Sequence, residues 1–323
     1  MSKVAVVGCG HWGKNLIRNF SYLESLSSVC DQDAQAAAKF SNEFEVPALD
    51  FNGVLASDCE GVVIAAPAPL HSKLALAAFE NAKHVYVEKP VAMTLAEADG
   101  MIEAAKLANR ELMVGHLLQY HPVFIKLKET VLAGDLGELR FISSSRLSLG
   151  KIRSEEDVLW SFAPHDISML LSLVNDNVSS VFCEGVDGLG QGLADTATVH
   201  IQFKNLLKAR ISCSWLYPEK EQKLVVVGSK GMAVFDDTRP WSEKLTICPL
   251  EIDPSIVPPH AQKGELEYIS VAESEPLREE CQYFLDLIQG RVLPRTDGLE
   301  GRAVLELLSL ASESMAKGVR VYA

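Results

Sequence analysis

The stretch Val4-Ala-Val-Val-Gly8-Cys-Gly10-His-Trp-Gly13 decides the fold of the first half of the chain. A short apolar run, Val4–Val7, leads directly into glycines spaced G-x-G-x-x-G, and a segment of helical composition, Asn15–Phe20, follows. In a strand–turn–helix unit, such glycines allow a tight turn, close approach of a pyrophosphate and close helix packing. The helix N-terminus adds free N–H groups and the positive end of a dipole. We predict a dinucleotide-binding turn; the alternative is a turn that only packs a helix against a sheet.

An acidic residue further along indicates which dinucleotide binds. Asp31 closes the second predicted strand, Leu26–Cys30, and no arginine follows it immediately. A carboxylate there can bind both ribose hydroxyls and repels a 2′-phosphate, so NAD is favoured over NADP. The cofactor-binding residues predicted from this unit are Gly8, Gly10, His11, Trp12, Gly13 and Asp31.

The rest of the first half repeats a short apolar strand followed by a helix. Strands that are apolar along their whole length are typical of a parallel sheet covered on both faces. The further predicted elements are the strands Val62–Ala65, Val85–Val87 and Leu112–Val114, and the helices Asp33–Phe44, Leu70–Asn81 and Leu95–Asn109. Thr94 and Glu97 have capping-box spacing at the start of the last helix. The fold class is therefore α/β, with a doubly wound parallel Rossmann sheet over residues 1–120.

The second half, residues 121–323, has a different pattern. Its strand-like runs follow one another through short turns, which predicts an α+β domain with a large mixed or antiparallel sheet. The runs are Glu138–Ser148, Val178–Glu184, Thr196–Phe203, Ala209–Trp215, Lys223–Val227 and Met232–Asp236, the last two joined by the hairpin turn Gly228–Gly231. We expect the proline-rich segment Asp237–Glu267 to be irregular. Two helices, Leu277–Ile288 and Leu299–Lys317, close the chain and are able to pack back on the first domain.

Composition excludes several classes of protein. The 323 residues include 30 basic and 43 acidic side chains, and the net charge of −13 argues against nucleic acid or an anionic membrane as a partner. No apolar run is long enough to span a bilayer, and the N-terminus enters a strand without a signal peptide. Seven cysteines without a C-x-x-C pair indicate reduced thiols, and no cluster has metal-ligand spacing. These features predict a soluble, cytoplasmic protein without a metal.

A second cluster carries a family resemblance. Ile64-Ala-Ala-Pro67, His71 and the run from Lys83 through Glu88-Lys89-Pro90 to Thr94 resemble the hallmark of the Gfo/Idh/MocA oxidoreductases, as do Gly115-His-Leu-Leu and the run Trp160–Asp166. Gly10–Leu16 and Leu149–Arg153 are most similar to family members that are 3-dehydrogenases of UDP-linked N-acetylated sugars. The resemblance implies a cis proline after Lys89 and a homodimer or homotetramer. It adds Ala66, Pro67, His71, Glu88 and Lys89 to the cofactor site.

Oxidation of an alcohol needs a base for the hydroxyl proton. His165, at a predicted helix start beside Asp166, suits this role because imidazole titrates near neutrality, and the family places its catalytic histidine here. The resemblance gives Lys89 a substrate-facing catalytic role. Many members carry aspartate four residues before the histidine, where this chain has Ser161, and Asp166 cannot be assumed to replace it.

The sequence leaves more than one class of substrate open. Lys151 and Arg153 either bind a sugar-linked diphosphate or belong to a solvated loop whose acidic residues balance them, and Trp160 completes the predicted substrate site. Three hypotheses follow. The first is NAD-dependent oxidation of a secondary hydroxyl, at C3 of a UDP-N-acetylhexosamine such as UDP-N-acetylglucosamine or of its uronic acid. The second is a dehydrogenase of a free sugar or inositol, and the third is a non-catalytic NAD-binding sensor.

Overall fold

The computed structural model describes residues 2–150, 152–253, 257 and 260–323. Within it the chain divides into two compact units. The first unit consists of Met1–Tyr120 and Ser274–Leu305, and the second of His121–Glu273 and Glu306–Ala323. No helix in the described ranges is long and apolar enough to cross a membrane.

The first unit is built on a parallel sheet. Its N-terminal elements are β1 (Val4–Val7), α1 (Gly13–Tyr22), β2 (Leu26–Cys30), α2 (Ala34–Phe44), α3 (Phe51–Ala56), β3 (Gly61–Ile64), α4 (His71–Glu80), β4 (His84–Glu88), α5 (Leu95–Ala108) and β5 (Leu112–Gly115). The five strands pair in the order β2-β1-β3-β4-β5, all parallel. The chain changes direction across the sheet at β1, so the carboxyl ends of β1 and β3 flank the crevice where doubly wound sheets bind ligands. The predicted Rossmann sheet is confirmed.

Local chemistry explains where these elements begin. Every residue of β1 and of β3 is buried, as expected for strands covered on both faces. The capping box predicted from Thr94 and Glu97 is present at the start of α5. The short helix α3, which the sequence analysis did not predict, begins after Asp50, whose side chain accepts a hydrogen bond from Gly53 N.

The second unit contains a large mixed sheet. The remaining elements of the chain are α6 (Pro122–Leu132), β6 (Leu139–Leu147), α7 (Val158–Leu173), β7 (Val178–Val186), β8 (Thr196–Phe203), β9 (Lys208–Ser214), β10 (Glu221–Gly228), β11 (Gly231–Asp236), β12 (Leu245–Asp253), β13 (His260–Lys263), β14 (Glu267–Tyr268), α8 (Pro276–Ile288), α9 (Gly298–Lys317) and β15 (Val321–Tyr322). The sheet order is β13-β12-β11-β10-β6-β9-β8-β7-β15, and β14 pairs with β12. Only β6 and β9 are parallel among the pairings described. The predicted mixed sheet and the hairpin between β10 and β11 are confirmed.

The expectation of an irregular segment at Asp237–Glu267 was wrong, because β12, β13 and β14 lie within it or reach into it. The ladder between β11 and β12 runs from Phe235 opposite Leu245 to Gly231 opposite Pro249. Proline has no N–H to donate, and β12 pairs with β13 immediately beyond it, from Leu250 onwards. Pro249 makes this part of the sequence look unlike a strand, but β12 continues through it.

The helix α8 belongs to the first unit. Its buried residues Leu277, Cys281 and Phe284 are part of one core cluster with β1, α1 and β4. The Phe284 ring meets Phe20 edge-on at 6.5 Å and Tyr86 at 5.7 Å between ring centroids. The core of the Rossmann sheet is therefore completed by a helix from the far end of the chain.

Candidate active site

The glycine turn combines close backbone packing with one open position. Gly8 has φ +104°, and a Cβ placed there would lie 2.6 Å from the Ala65 carbonyl carbon. A Cβ on Gly13 would lie 1.9 Å from the Gly8 carbonyl oxygen, whereas nothing lies within 4 Å of one on Gly10. Gly8 and Gly13 are thus required by the packing of the protein itself. The open space beside Gly10, the cradle, is able to hold a ligand. A pyrophosphate fits this cradle beside the N-terminus of α1.

Asp31 is held rigidly at the end of β2. Its Oδ2 accepts a hydrogen bond from Cys9 N at 2.6 Å, and its Oδ1 accepts one from Asp33 N at 2.8 Å. Each carboxylate oxygen keeps lone-pair capacity for a further donor, such as a ribose hydroxyl. The residues present therefore fit the adenosine half of NAD.

Trp12 joins the glycine turn to the end of β4. Its indole Nε1 donates to Glu88 Oε1 at 2.6 Å, and the Tyr86 hydroxyl donates to the same oxygen at 3.1 Å. Burial raises the pKa of Glu88, while these two hydrogen bonds oppose the rise. Gly115 is required here, because a Cβ on it would lie 2.8 Å from the Tyr86 hydroxyl. His11, in contrast, is exposed on the turn.

His71, one of the predicted cofactor-binding residues, has a structural role. Its Nδ1 lies 2.8 Å from the Pro90 carbonyl oxygen and its Nε2 lies 2.9 Å from the Ala66 carbonyl oxygen. The ring is buried, and this burial lowers its pKa. His71 thus connects the loop after β3, where Ala66 is half-buried and Pro67 exposed, to the turn after β4.

Lys89 lies at the carboxyl end of β4, the edge expected to bind ligands. It is half-buried and follows the buried Glu88. The Lys89–Pro90 peptide bond is cis, as the family resemblance implies. The Lys89 backbone N–H donates to Glu88 Oε2 at 3.3 Å.

His165 lies in the second unit, and its expected place at a helix start was wrong. Helix α7 begins at Val158, where the Asp157 side chain accepts a hydrogen bond from Trp160 N at 3.0 Å. His165 is therefore in the middle of α7, directly after Pro164, which lies inside the helix although proline usually occurs in the first turn. The side chain of His165 is half-buried.

Asp166 is committed to a structural ion pair. Arg146 Nε on β6 donates to Asp166 Oδ2 at 2.7 Å, and the Ser144 hydroxyl donates to Oδ1 at 2.5 Å. The carboxylate is buried and points to the sheet, so it does not replace the aspartate that the family often has at the position of Ser161. Ser161 is buried on the same helix.

Two of the predicted substrate residues of the second unit, Arg153 and Trp160, have partners within that unit. Arg153 Nη1 forms an ion pair with Glu156 Oε1 at 2.7 Å, which matches the alternative of a balanced, solvated loop. The Trp160 indole Nε1 donates to the Ser312 hydroxyl at 2.9 Å. Lys151 lies outside the described residues.

The sequence analysis missed two residues of the first unit, Tyr86 and Glu280. Tyr86 was hidden in an apolar strand, where an aromatic residue is ordinary. Glu280 interrupts the apolar face formed by Leu277, Cys281 and Phe284 on α8, and its 0 % exposure makes it exceptional for a carboxyl group. That interruption of the helical pattern was the available signal.

A doubly wound sheet with an open glycine cradle and a fixed acidic residue after β2 defines a dinucleotide-binding domain. Residues 2–116 match the model of an oxidoreductase family with an NAD-binding Rossmann fold, and residues 124–234 match the model of the GFO/IDH/MocA C-terminal domain. The chain belongs to the Gfo/Idh/MocA oxidoreductase family, and its first unit is an NAD-binding Rossmann domain.

Two of the proteins that this chain is similar to act on different classes of substrate. The UDP-N-acetylglucosamine 3-dehydrogenase of Acidithiobacillus ferrooxidans is 26% identical over 94% of each chain. Its solved structure has a TM-score of 0.86 at 25% identity and covers 98% of this chain and 97% of that one. The myo-inositol 2-dehydrogenase of Thermotoga maritima is 28% identical and covers 79% of this chain and 77% of its own.

Proposed function

We propose that this protein is an NAD-dependent dehydrogenase that oxidises a secondary hydroxyl of a sugar nucleotide, at C3 of a UDP-N-acetylhexosamine or of its uronic acid. The observation that carries the proposal is the similarity to the UDP-N-acetylglucosamine 3-dehydrogenase over 94% of both chains. The similarity includes both units, so it covers the cofactor domain and the domain expected to bind the substrate.

We assign separate roles in the reaction to individual residues of this chain. When bound, NAD would supply the acceptor for the hydride that leaves the carbinol carbon. We assign the hydroxyl proton to the imidazole of His165 and the stabilisation of the hydroxyl oxygen to the ammonium group of Lys89. The cradle at Gly10, the carboxylate of Asp31 and the turn around Trp12 would hold the cofactor. Arg153 and Trp160 are proposed to contact the substrate, together with Lys151.

A free cyclitol such as inositol is the second candidate substrate. Two observations favour it: the similarity to the myo-inositol 2-dehydrogenase, and the ion pair of Arg153 with Glu156, which occupies a cation proposed for the diphosphate. A diphosphate would have to compete with Glu156 for this guanidinium.

The substrate class is decided by hydride transfer, measured as NADH absorbance with UDP-N-acetylglucosamine, its uronic acid, free N-acetylglucosamine and myo-inositol. We expect reduction of NAD only with the UDP-linked sugars. Arg153→Gln should then raise KM for the sugar nucleotide, while Glu156→Gln, which releases Arg153, serves as the matched control and should not. Turnover of inositol alone would replace the first proposal by the second, and NAD binding without turnover of any substrate would indicate the sensor.

We also propose that the protein is a homo-oligomer of the cytoplasm. The family resemblance suggests a homodimer or homotetramer, which light scattering at micromolar concentration tests directly. The cysteines, all seven buried and free, support a reducing compartment such as the cytoplasm.

A further inference from the structure

Helix α7 contains a proline immediately before the proposed base. Pro164 has no N–H, so position 164 cannot donate the helical hydrogen bond to the Trp160 carbonyl oxygen, and the proline ring crowds the same carbonyl group. A proline inside a helix is a usual cause of bending. His165 comes next in the chain. Its position therefore depends on what holds α7 on each side of Pro164.

The part of α7 before Pro164 is fixed at its first turn. The Asp157 side chain accepts a hydrogen bond from Trp160 N at 3.0 Å. Val158 N donates to the carbonyl oxygen of Ala194, in the connection between β7 and β8, at 2.9 Å. Both contacts precede the proline, so they do not determine the direction of the helix beyond it.

The part of α7 after Pro164 is held by a buried ion pair. Arg146 Nε donates to Asp166 Oδ2 at 2.7 Å, and Arg146 Nη2 donates to Oδ1 at 3.3 Å. The Ser144 hydroxyl donates to Oδ1 at 2.5 Å. The exposed fraction is 13% for the Arg146 side chain and 2% for that of Asp166, so water competes little for these bonds. A forked contact of this kind fixes the orientation of the carboxylate as well as its distance.

The sequence of β6 matches this carboxylate. Ile142, Ser144 and Arg146 lie on one face of the strand, because side chains alternate between the two faces. Ile142 and Ser144 are fully buried, and from Ile142 onwards this face becomes polar at the two residues that contact Asp166. A buried ion pair gives little net stability compared with apolar residues of similar size, but its geometry is specific. We therefore expect its effect on geometry rather than on stability.

We propose that a three-residue anchor fixes the imidazole of His165 by holding the second half of α7 against β6. The anchor consists of the positioning residues Ser144, Arg146 and Asp166. Asp166 follows His165 directly, and neighbouring side chains on a helix diverge by about 100°. Holding Asp166 on the sheet thus directs His165 to a different face of α7, in agreement with its half-buried side chain. The inference rests on the proposed role of His165 as the base.

The first test replaces the ion pair by apolar residues in the double variant Arg146→Met, Asp166→Leu. The Tm should stay near or above the wild-type value, because apolar residues of similar size substitute well for a buried ion pair. In the NADH assay kcat should nevertheless fall by roughly tenfold to a hundredfold, the effect of displacing a reacting group by about 1 Å, and KM should change less than kcat. Wild-type kcat in this variant would overturn the positioning role.

Leu245→Ala is the control for a loss of stability. Leu245 is 0 % exposed on β12, which is separated from β6 by β10 and β11. The truncation should lower Tm by leaving a cavity, but kcat should not change. A fall in kcat as large as that of the apolar double variant would show that turnover follows overall stability, which would also overturn the positioning role.

The second test asks whether the anchor acts through His165. Asp166→Asn keeps the shape of the side chain and removes its charge, so it should lower kcat by roughly tenfold in the wild-type background. In the His165→Asn background it should lower kcat by less than about twofold, because the group that it displaces is already absent. Equal effects in the two backgrounds would overturn the proposal. This comparison also decides the matter if the apolar double variant does not fold.

Nuclear magnetic resonance of protein labelled at histidine Cε1 follows His165 without a substrate. The signal of His165 is identified by its absence in His165→Asn. We expect one sharp signal in the wild type and in Leu245→Ala, and a broadened or divided signal in the apolar double variant. One sharp signal in the double variant would overturn the anchor. Because this measurement needs no turnover, failure of the anchor and failure of the proposed reaction are distinguishable.

Discussion

Gly8 and Gly10 of the cofactor turn are separated by a single residue and have opposite roles. Gly8 combines φ +104° with backbone contact to Ala65, whereas Gly10 has open space where a Cβ would be. Gly8→Ala should therefore destabilise the protein by about 2–4 kcal/mol, because it meets both strain and a clash. Gly10→Ala should keep the wild-type Tm and weaken NAD binding by at least about tenfold, because its methyl group enters the cradle. Thermal denaturation and calorimetric titration with NAD check the pair.

An unchanged NAD affinity in Gly10→Ala would contradict this assignment. If Gly10→Ala binds NAD like the wild type, the cradle is not the pyrophosphate site, and the cofactor has to be located elsewhere in the crevice.

The variant His165→Asn tests whether His165 is the catalytic base. His165→Asn should lower turnover by roughly 10²–10⁴, the usual effect of losing a positioned proton acceptor, while NAD affinity stays near the wild-type value because the cofactor residues lie in the first unit. The wild-type oxidation rate should rise with pH as the imidazole loses its proton, and the variant should lack this rise. Steady-state kinetics across pH measures both effects.

Lys89→Ala is the companion variant. It should slow turnover and also raise KM, since an ammonium group on the hydroxyl oxygen contributes to binding. The double variant should be little worse than the poorer single one if both residues act on one hydroxyl. Near-normal turnover in His165→Asn combined with an inactive Lys89→Ala would make Lys89 the base.

At the scale of elements, Asp237 connects the start of α6 to the end of β11. His121 caps α6 by accepting from Val123 N at 3.2 Å through Nδ1, and its Nε2 lies 3.3 Å from Asp237 Oδ1. Lys244 Nζ donates to the same carboxylate at 2.5 Å. Burial alone would raise the pKa of Asp237, but the hydrogen bonds from His121 and Lys244 lower it to about 2.

Asp237→Asn should consequently cost about 2 kcal/mol of unfolding free energy at neutral pH. Because the folded pKa is depressed, the stabilisation is present above the ordinary value of 3.8 and is lost as pH falls towards about 2. Denaturant unfolding should thus give a stability difference that is constant above pH 5 and shrinks in acid. A difference that persists unchanged to pH 2 would assign the effect to packing rather than to charge.

At the scale of the whole molecule, the cofactor domain is not a continuous piece of sequence. Leu277, Cys281, Phe284 and Leu285 on α8 belong to the core that also contains Phe20. A fragment ending at Tyr120 would expose the surface that these side chains cover, so it should lack a cooperative thermal transition by circular dichroism. The same fragment joined to residues 274–305 by a flexible linker should recover one. Cooperative unfolding of the shorter fragment at the wild-type Tm would contradict this account.

Much of the fold could be predicted from the sequence by itself, because its signals are local. The apolar strands, the capping box at Thr94, the glycine turn and the acidic residue after β2 each depend on a few neighbouring residues and on the period of a strand or helix. The prediction failed at Asp237–Glu267, where proline masked a strand whose partners lie elsewhere in the sheet.

Only the tertiary structure decided how the polar side chains are used. The sequence places Asp166 beside His165, but the fold turns its carboxylate to Arg146 on β6. Trp12 and Glu88 are 76 positions apart, yet the Trp12 indole donates a hydrogen bond to Glu88. Phe284 on α8, near the other end of the chain, packs against Tyr86 on β4. Such pairings follow from the order of strands in a sheet and from the helix packed on it, which bring distant residues together. Burial of the Glu280 carboxyl raises its pKa, and no local pattern encodes that burial.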